Sequence, residues 1–126
     1  MAKFLSEEWI KAYQERWNND QEIRHGLRKI DATMKYWVQG NQSAAVFMRL
    51  RKGEAVEAGS ADGGRYDYEM WATDADWKRI ASGELGPKRA MAMQKLKFKG
   101  SMVTAMRHIG PFGRSLNMMS EVETEW

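Results

Sequence analysis

An α+β domain is predicted by three features of the sequence. Apolar residues recur at helical spacing near the N-terminus and again from Thr73 onward. Between Ala32 and Ala72 they alternate with polar residues in segments of strand length. Short runs containing Gly and Asn separate those segments. At 126 residues the chain suits one domain spanning 1–126, with a core over about 9–119 and an acidic tail at 120–126.

Ser6 followed by Glu8 and the set Trp9, Ile10, Tyr13 and Trp17 predicts an N-capped amphipathic helix ending near Asn18-Asn19-Asp20. Ala32, Met34, Tyr36 and Val38 then alternate with Thr33, Lys35, Trp37 and Gln39, the period of a half-buried strand, and Gly40-Asn41-Gln42 turns the chain. In the next strand, Ala44 to Arg51, Val46, Met48 and Leu50 share one face and Arg49 and Arg51 the other. Lys52-Gly53 leads into a short strand at Ala55 to Ala58. After the loop Gly59 to Gly64, Tyr66, Tyr68, Met70 and Ala72 alternate with Asp67, Glu69 and Trp71. These segments predict an antiparallel meander.

Thr73, with Asp76 three residues on, opens a helix whose buried stripe is Trp77, Ile80 and Ala81 and which Gly83 stops. Gly86-Pro87 starts a short helix through Met93, since proline at the first helical position loses no hydrogen bond. Lys95 to Gly100 reads as a strand with Leu96 and Phe98 on one face and Lys95, Lys97 and Lys99 on the other. Ser101 caps a last helix carrying Met102, Ala105, Met106 and Ile109, broken by Gly110-Pro111, with Phe112, Leu116 and Met119 continuing its apolar face.

Composition narrows the function. Hydrophobic residues at 43% and charged residues at 29% argue against disorder, and the absence of cysteine removes disulfides and thiol chemistry. Six Trp and ten Met give bulky, deformable apolar surface. The N-terminus lacks the apolar run of a signal peptide, and no stretch of about 18 apolar residues could span a bilayer. A soluble, cytoplasmic protein is expected.

The stretch Asp74-Ala-Asp-Trp77-Lys-Arg-Ile80-Ala-Ser-Gly83-Glu-Leu85-Gly-Pro87, then Ala90-Met91-Ala-Met93, then Lys95-Leu96-Lys97-Phe98-Lys99-Gly100, resembles the sterol carrier protein 2 family. With the order of the earlier elements, the resemblance covers roughly Trp9 to Met119. Two positions depart from it: Gln94 stands where the family often has Gly, and Ser101 where it often has an acidic residue. The resemblance implies a five-stranded, mainly antiparallel sheet covered by helices and enclosing an apolar tunnel. It also implies reversible binding and transfer of fatty acids, acyl-CoAs, sterols or similar lipids, without catalytic residues or a cofactor.

The faces assigned above supply candidate lining residues. Met34, Tyr36, Val46, Met48, Tyr68, Met70, Leu96 and Phe98 come from the sheet. Trp77, Ile80, Met91, Met102, Met106, Ile109, Phe112 and Leu116 come from the helices. Charge is polarised toward the same region: Lys88 to Arg114 holds seven Lys/Arg and no acid, against a net +3 for the whole chain. Lys95, Lys97 and Lys99 suit either contact with an anionic membrane or a solvated strand face. Nucleic-acid binding is not expected, since interleaved aromatics are few. A monomer or weak dimer is expected.

Enzyme signatures are weak. Ser115 lacks the second glycine of a nucleophile elbow and reads as a surface or capping serine, while His25 and His108 have no second ligand at metal spacing. Asp67 and Glu69 are expected to pair across strands with Arg49 or Arg51. Two other readings stay open. One is proton transfer in an apolar cavity, as in ketosteroid isomerase-like proteins, with Tyr68 or Asp67 beside the substrate. The other is an accessory subunit docking a partner through exposed Trp37 and Trp71 on the outer sheet face.

Overall fold

The computed structural model describes residues 1–126. It begins with a two-residue strand, β1 (Ala2–Lys3), and a helix, α1 (Glu7–Asn18), whose first turn is fixed by the Ser6 hydroxyl accepting from the Trp9 N–H. A helix not foreseen in the sequence follows, α2 (Gln21–Gly26). Asp20 caps it by accepting from the Ile23 N–H, and only Ile23 along it is buried, so no apolar period marks it.

Five strands form the main sheet: β2 (Ala32–Val38), β3 (Val46–Arg51), β4 (Glu54–Ser60), β5 (Tyr68–Ala72) and, later in the chain, β6 (Lys97–Lys99). Their order is β4-β3-β2-β5-β6. Lys52 and Gly53, at φ 50° and 78°, join β3 to β4 by a two-residue turn with both central residues left-handed, which matches the twist of a hairpin. A side chain at Gly53 would collide with the Arg24 and Leu27 backbone, so this turn sits tightly under α2.

The expected meander holds through β4 and then fails, because β5 pairs in parallel with β2 and not with β4. The β3–β4 hairpin itself becomes the crossover that a parallel pair requires. Two contacts select this register. Thr33 and Asp67 exchange hydrogen bonds, with the Thr33 N–H donating to Asp67 Oδ2 at 2.8 Å and the Asp67 N–H to Thr33 Oγ1 at 3.0 Å. Trp37 and Trp71, paired in the register, stack at 4.6 Å. Alternation identifies faces but not neighbours, and that is why pairing of Asp67 and Glu69 with Arg49 or Arg51 does not occur. Glu69 meets Lys99 at 3.8 Å, and Arg49 meets Glu57 at 3.0 Å.

The outer sheet face also differs from expectation. Trp37 is buried under Trp71 and is not exposed, and Lys35 is buried with its ammonium over the Trp37 and Tyr66 rings.

The remaining helices are α3 (Asp74–Ala81), α4 (Pro87–Ala92), α5 (Met102–Arg107) and α6 (Ile109–Asn117). Thr73 and Ser101 cap α3 and α5 as their sequences suggest. The break in the last helical stretch falls at His108, at φ −114° and ψ 28°, and not at Gly110-Pro111. Pro111 lies in the first turn of α6, where its missing N–H has no intrahelical partner to lose. Residues 120–126, read above as an acidic tail, return to the body: Val122 is buried and β7 (Thr124–Glu125) pairs in parallel with β1.

On the inner sheet face an aromatic core runs from α1 to α3. Trp9 stacks on Tyr13 at 5.1 Å, Tyr13 meets Tyr36 edge-on at 6.3 Å, and Tyr36 lies 6.5 Å from Trp77. Each fully buried tryptophan keeps a partner for its N–H: Trp9 donates to Thr124 Oγ1, Trp17 to the Gly53 carbonyl and Trp77 to the Trp37 carbonyl. No helix is long and apolar enough to cross a membrane.

Candidate functional site

Beside the aromatic core the packing is incomplete, and an apolar cavity of about 40 Å³ remains. The sheet contributes Met34, Leu50, Tyr68, Met70 and Phe98 to its wall. The region of α1 and α2 contributes Trp17, Leu27 and Ile30, and α5 with the start of α6 contributes Thr104, Ala105, His108 and Phe112. No carboxylate lines it: Tyr68 borders this space and Asp67 does not. Asp67 is held by Thr33, and Glu69 shares the outer sheet face with Trp71.

A second concavity, a surface groove of about 280 Å³, is lined by Trp71, Met91, Gln94, Leu96, Lys97, Phe98 and Met102. Phe98 belongs to both walls.

The candidate lining residues therefore fall into three places. Met34, Tyr68, Met70, Phe98 and Phe112 meet at the cavity, while Met91, Leu96 and Met102 line the groove with Phe98. Tyr36, Val46, Met48, Trp77, Ile80 and Leu116 sit in the closed core, with Met106 and Ile109 half-buried against it. Sequence reasoning did not name Trp17, Leu27, Ile30, Leu50, Thr104, Ala105 or His108 for the wall. Leu50 shares the alternating face of Val46 and Met48, and Thr104 and His108 share a helical face by their spacing of four, so those three carried a usable signal.

The cavity's cover is thin. Of the α5 residues only Ala105 is buried, whereas Met102 is 44% and Val103 68% exposed. The wall opposite is braced. Arg114 of α6 donates to Asp20 at the start of α2, with Nη2 to Oδ2 at 2.8 Å and Nε to Oδ2 at 3.1 Å, and its Nη2 also reaches Glu121 at 3.2 Å. Burial alone pushes the Asp20 carboxyl up, but the Ile23 N–H and the Arg114 guanidinium outweigh it and hold the group below the usual carboxylate range.

Three buried hydroxyls belong to Tyr13, Ser115 and Tyr36. The Tyr13 hydroxyl donates to the Ser115 carbonyl at 2.6 Å, and Ser115, buried and not a surface serine, donates to the Phe112 carbonyl. Tyr36, on the same face of β2 as Met34, has a buried hydroxyl with no partner. Burial, and then the neighbouring Tyr13, raise its pKa well above the ordinary tyrosine value.

The basic stretch divides by partner. Lys97 donates to Gln39 and Lys99 pairs with Glu69, whereas Lys88, Arg89, Lys95 and Arg107 enter none of the ion pairs. In the same stretch of sequence, Met93, Met102 and Val103 are exposed.

Comparison with known proteins gives a consistent result. The model of the SCP-2 sterol transfer family matches residues 10–112. The chain is 31% identical over 68 residues to sterol carrier protein 2 of Arabidopsis thaliana, a match that spans about half of each protein, 54% of this chain and 54% of the relative. Among solved structures, a crystal structure of sterol carrier protein 2 superposes with a TM-score of 0.83 at 21% identity, over 96% of this chain and 100% of that one. A conserved hypothetical protein from Thermus thermophilus superposes with a TM-score of 0.79 at 21% identity, over 99% of this chain and 93% of that one. At such identities the two superpositions show a shared fold.

Proposed function

The chain belongs to the SCP-2 sterol transfer family, and from that premise we propose that it is an intracellular carrier that sequesters a single lipid chain in its apolar interior and releases it at a membrane or an acceptor protein. Fatty acids, acyl-CoAs and sterols are the ligand classes that fit a wall without fixed charge. The observation that carries this reading is the apolar cavity between the inner sheet face and the thinly anchored α5.

At about 40 Å³ the cavity holds little more than water, far below the ~300–1,000 Å³ of ligand sites. Displacing Phe98 joins it to the groove of about 280 Å³ and brings the combined space to the lower end of that range. This motion unites Met34, Tyr68, Met70 and Phe112 with Met91, Leu96 and Met102 in one tunnel. Outward movement of α5, pivoting at His108, enlarges it further.

Exposed Met93, Met102 and Val103, in one stretch of sequence with the free Lys88, Arg89, Lys95 and Arg107, suit transient contact with an anionic bilayer, where apolar side chains enter the interface and cations meet headgroups. Lys95 belongs to this face, whereas Lys97 and Lys99 are engaged within the protein.

Native mass spectrometry of the purified protein after incubation with hexadecanoic acid tests the carrier reading. One added ligand mass per chain is expected, and Ala105→Leu, which fills the cavity, abolishes it. A chain that stays free of lipid, or an Ala105→Leu variant that loads as the parent does, removes the support for a cavity-bound ligand.

A further inference from the structure

The chain has ten methionines and no cysteine, so thioethers are its only sulfur groups open to reversible oxidation. Their placement is uneven. Met34, Met48, Met70, Met118 and Met119 belong to the buried core, Met91 is 9% exposed, and Met106 is half-buried against the core. Only Met1, Met93 and Met102 are exposed. Met93 and Met102 reach solvent to nearly the same extent, 47% and 44%, but their surroundings differ. Met102 lines the groove with Met91, Leu96 and Phe98, and Met93 does not.

We propose that Met102 is a reversible oxidation site through which a peroxide lowers the affinity of the protein for lipid. This rests on the carrier reading. The Met102 sulfur attacks one oxygen of hydrogen peroxide, and an S–O bond forms as the O–O bond breaks. The thioether gives up two electrons to the peroxide, and the products are a sulfoxide and one water. An apolar side chain thereby becomes a polar one with a strong acceptor oxygen. In the empty groove water solvates that oxygen. A lipid chain laid along the groove displaces the water, and the neighbouring Met91, Leu96 and Phe98 side chains offer no hydrogen-bond donor in its place. The five core methionines are shielded from the same reaction, so the fold survives a dose that converts Met102. Methionine sulfoxide reductases reverse the change.

Treatment of the full chain with hydrogen peroxide, followed by peptide mass mapping and titration with hexadecanoic acid, tests this. Met93 and Met102 are expected to gain one oxygen each before any of the five core methionines does. The dissociation constant should then rise about tenfold, the effect of covering one unpaired polar group. Met93→Leu and Met102→Leu assign that loss, each variant being compared with itself before and after treatment so that any basal change cancels. Met93→Leu should still lose affinity on treatment and Met102→Leu should keep it. Methionine sulfoxide reductase should restore the parent, since it leaves oxidised indoles such as that of Trp71 untouched. Core methionines that oxidise as fast as Met102, an equal loss in both variants, a loss that the reductase does not reverse, or an oxidised Met102 with unchanged affinity each overturn the site and leave the carrier intact. An untreated parent that binds no hexadecanoic acid overturns the carrier reading and the site with it.

Discussion

Two parts of the same inner sheet face are covered in opposite ways. Toward α1 and α3, Trp9, Tyr13, Trp17, Tyr36 and Trp77 are wholly buried, and the three indole N–H groups are each tied to a carbonyl or hydroxyl. Toward α5 the cover is one buried alanine, with a void beneath it and exposed Met102 and Val103 above. That contrast locates where this fold can open. Interiors are close-packed and resist local change, so movement concentrates where few apolar contacts must be broken. Trp17 stands at the boundary, buried in the aromatic wall and lining the cavity.

The largest test of this contrast sets one side against the other. Trp77→Ala removes a fully buried ring and leaves the Trp37 carbonyl without its donor, and should lower unfolding stability in urea by about 3–5 kcal/mol. Val103→Ala on the exposed face of α5 should change it by less than about 0.5 kcal/mol. In the same protein, α5 amides should exchange with deuterium through local opening while α1 amides exchange only with global unfolding. Matching exchange rates in the two helices would show a cover as firm as the wall and defeat the proposed opening.

A second test exploits the wall's one defect. The Tyr36 hydroxyl is buried without a partner, a state that costs about 1–3 kcal/mol when a polar group stays unsatisfied. Tyr36→Phe keeps the ring and its contacts with Tyr13 and Trp77 and should raise stability by about 1–2 kcal/mol. Loss of stability instead would mean that the hydroxyl is satisfied by a bound water, and that the wall is wetter than its contacts indicate.

How far this contrast was legible in the sequence follows from what each signal encodes. The stripes Trp9, Ile10, Tyr13, Trp17 and Trp77, Ile80, Ala81 identified the wall, because helical period reports burial directly. The caps at Ser6, Thr73 and Ser101 were equally readable, each being a local hydrogen bond. The parallel β2–β5 pair was not, since it depends on Thr33 meeting Asp67 and Trp37 meeting Trp71 across more than thirty residues. The cavity was readable only in part. Met34, Tyr68, Met70, Phe98 and Phe112 have the right faces, but so do Tyr36, Val46 and Met48, and only packing in three dimensions decides which of them border a void. His108 shares a helical face with Thr104 by its spacing of four, but the apolar stripe Met102, Ala105, Met106 and Ile109 was the stronger signal in that helix.

The smallest effect lies at the groove, on the yielding side. After α4 the chain turns with Gln94 at φ 56°, the Gln94 N–H donating to the Met91 carbonyl and the Lys95 N–H to the Ala90 carbonyl. That pattern ends a helix with one left-handed residue, a position glycine fills without strain and a side chain fills at about 1 kcal/mol. Ser101, as the cap of α5, stands where Asp would cap equally well. Gln94→Gly should therefore raise the urea midpoint by an amount equivalent to about 0.5–1 kcal/mol, less than the strain relieved because glycine gains freedom in the unfolded chain. Lipid loading should be unchanged, because the backbone that carries Leu96 and Phe98 is already set by the two hydrogen bonds. A lower midpoint would show that the Gln94 side chain, which lines the groove, makes contacts worth more than the strain it imposes, and the groove would then count with the wall as a packed surface.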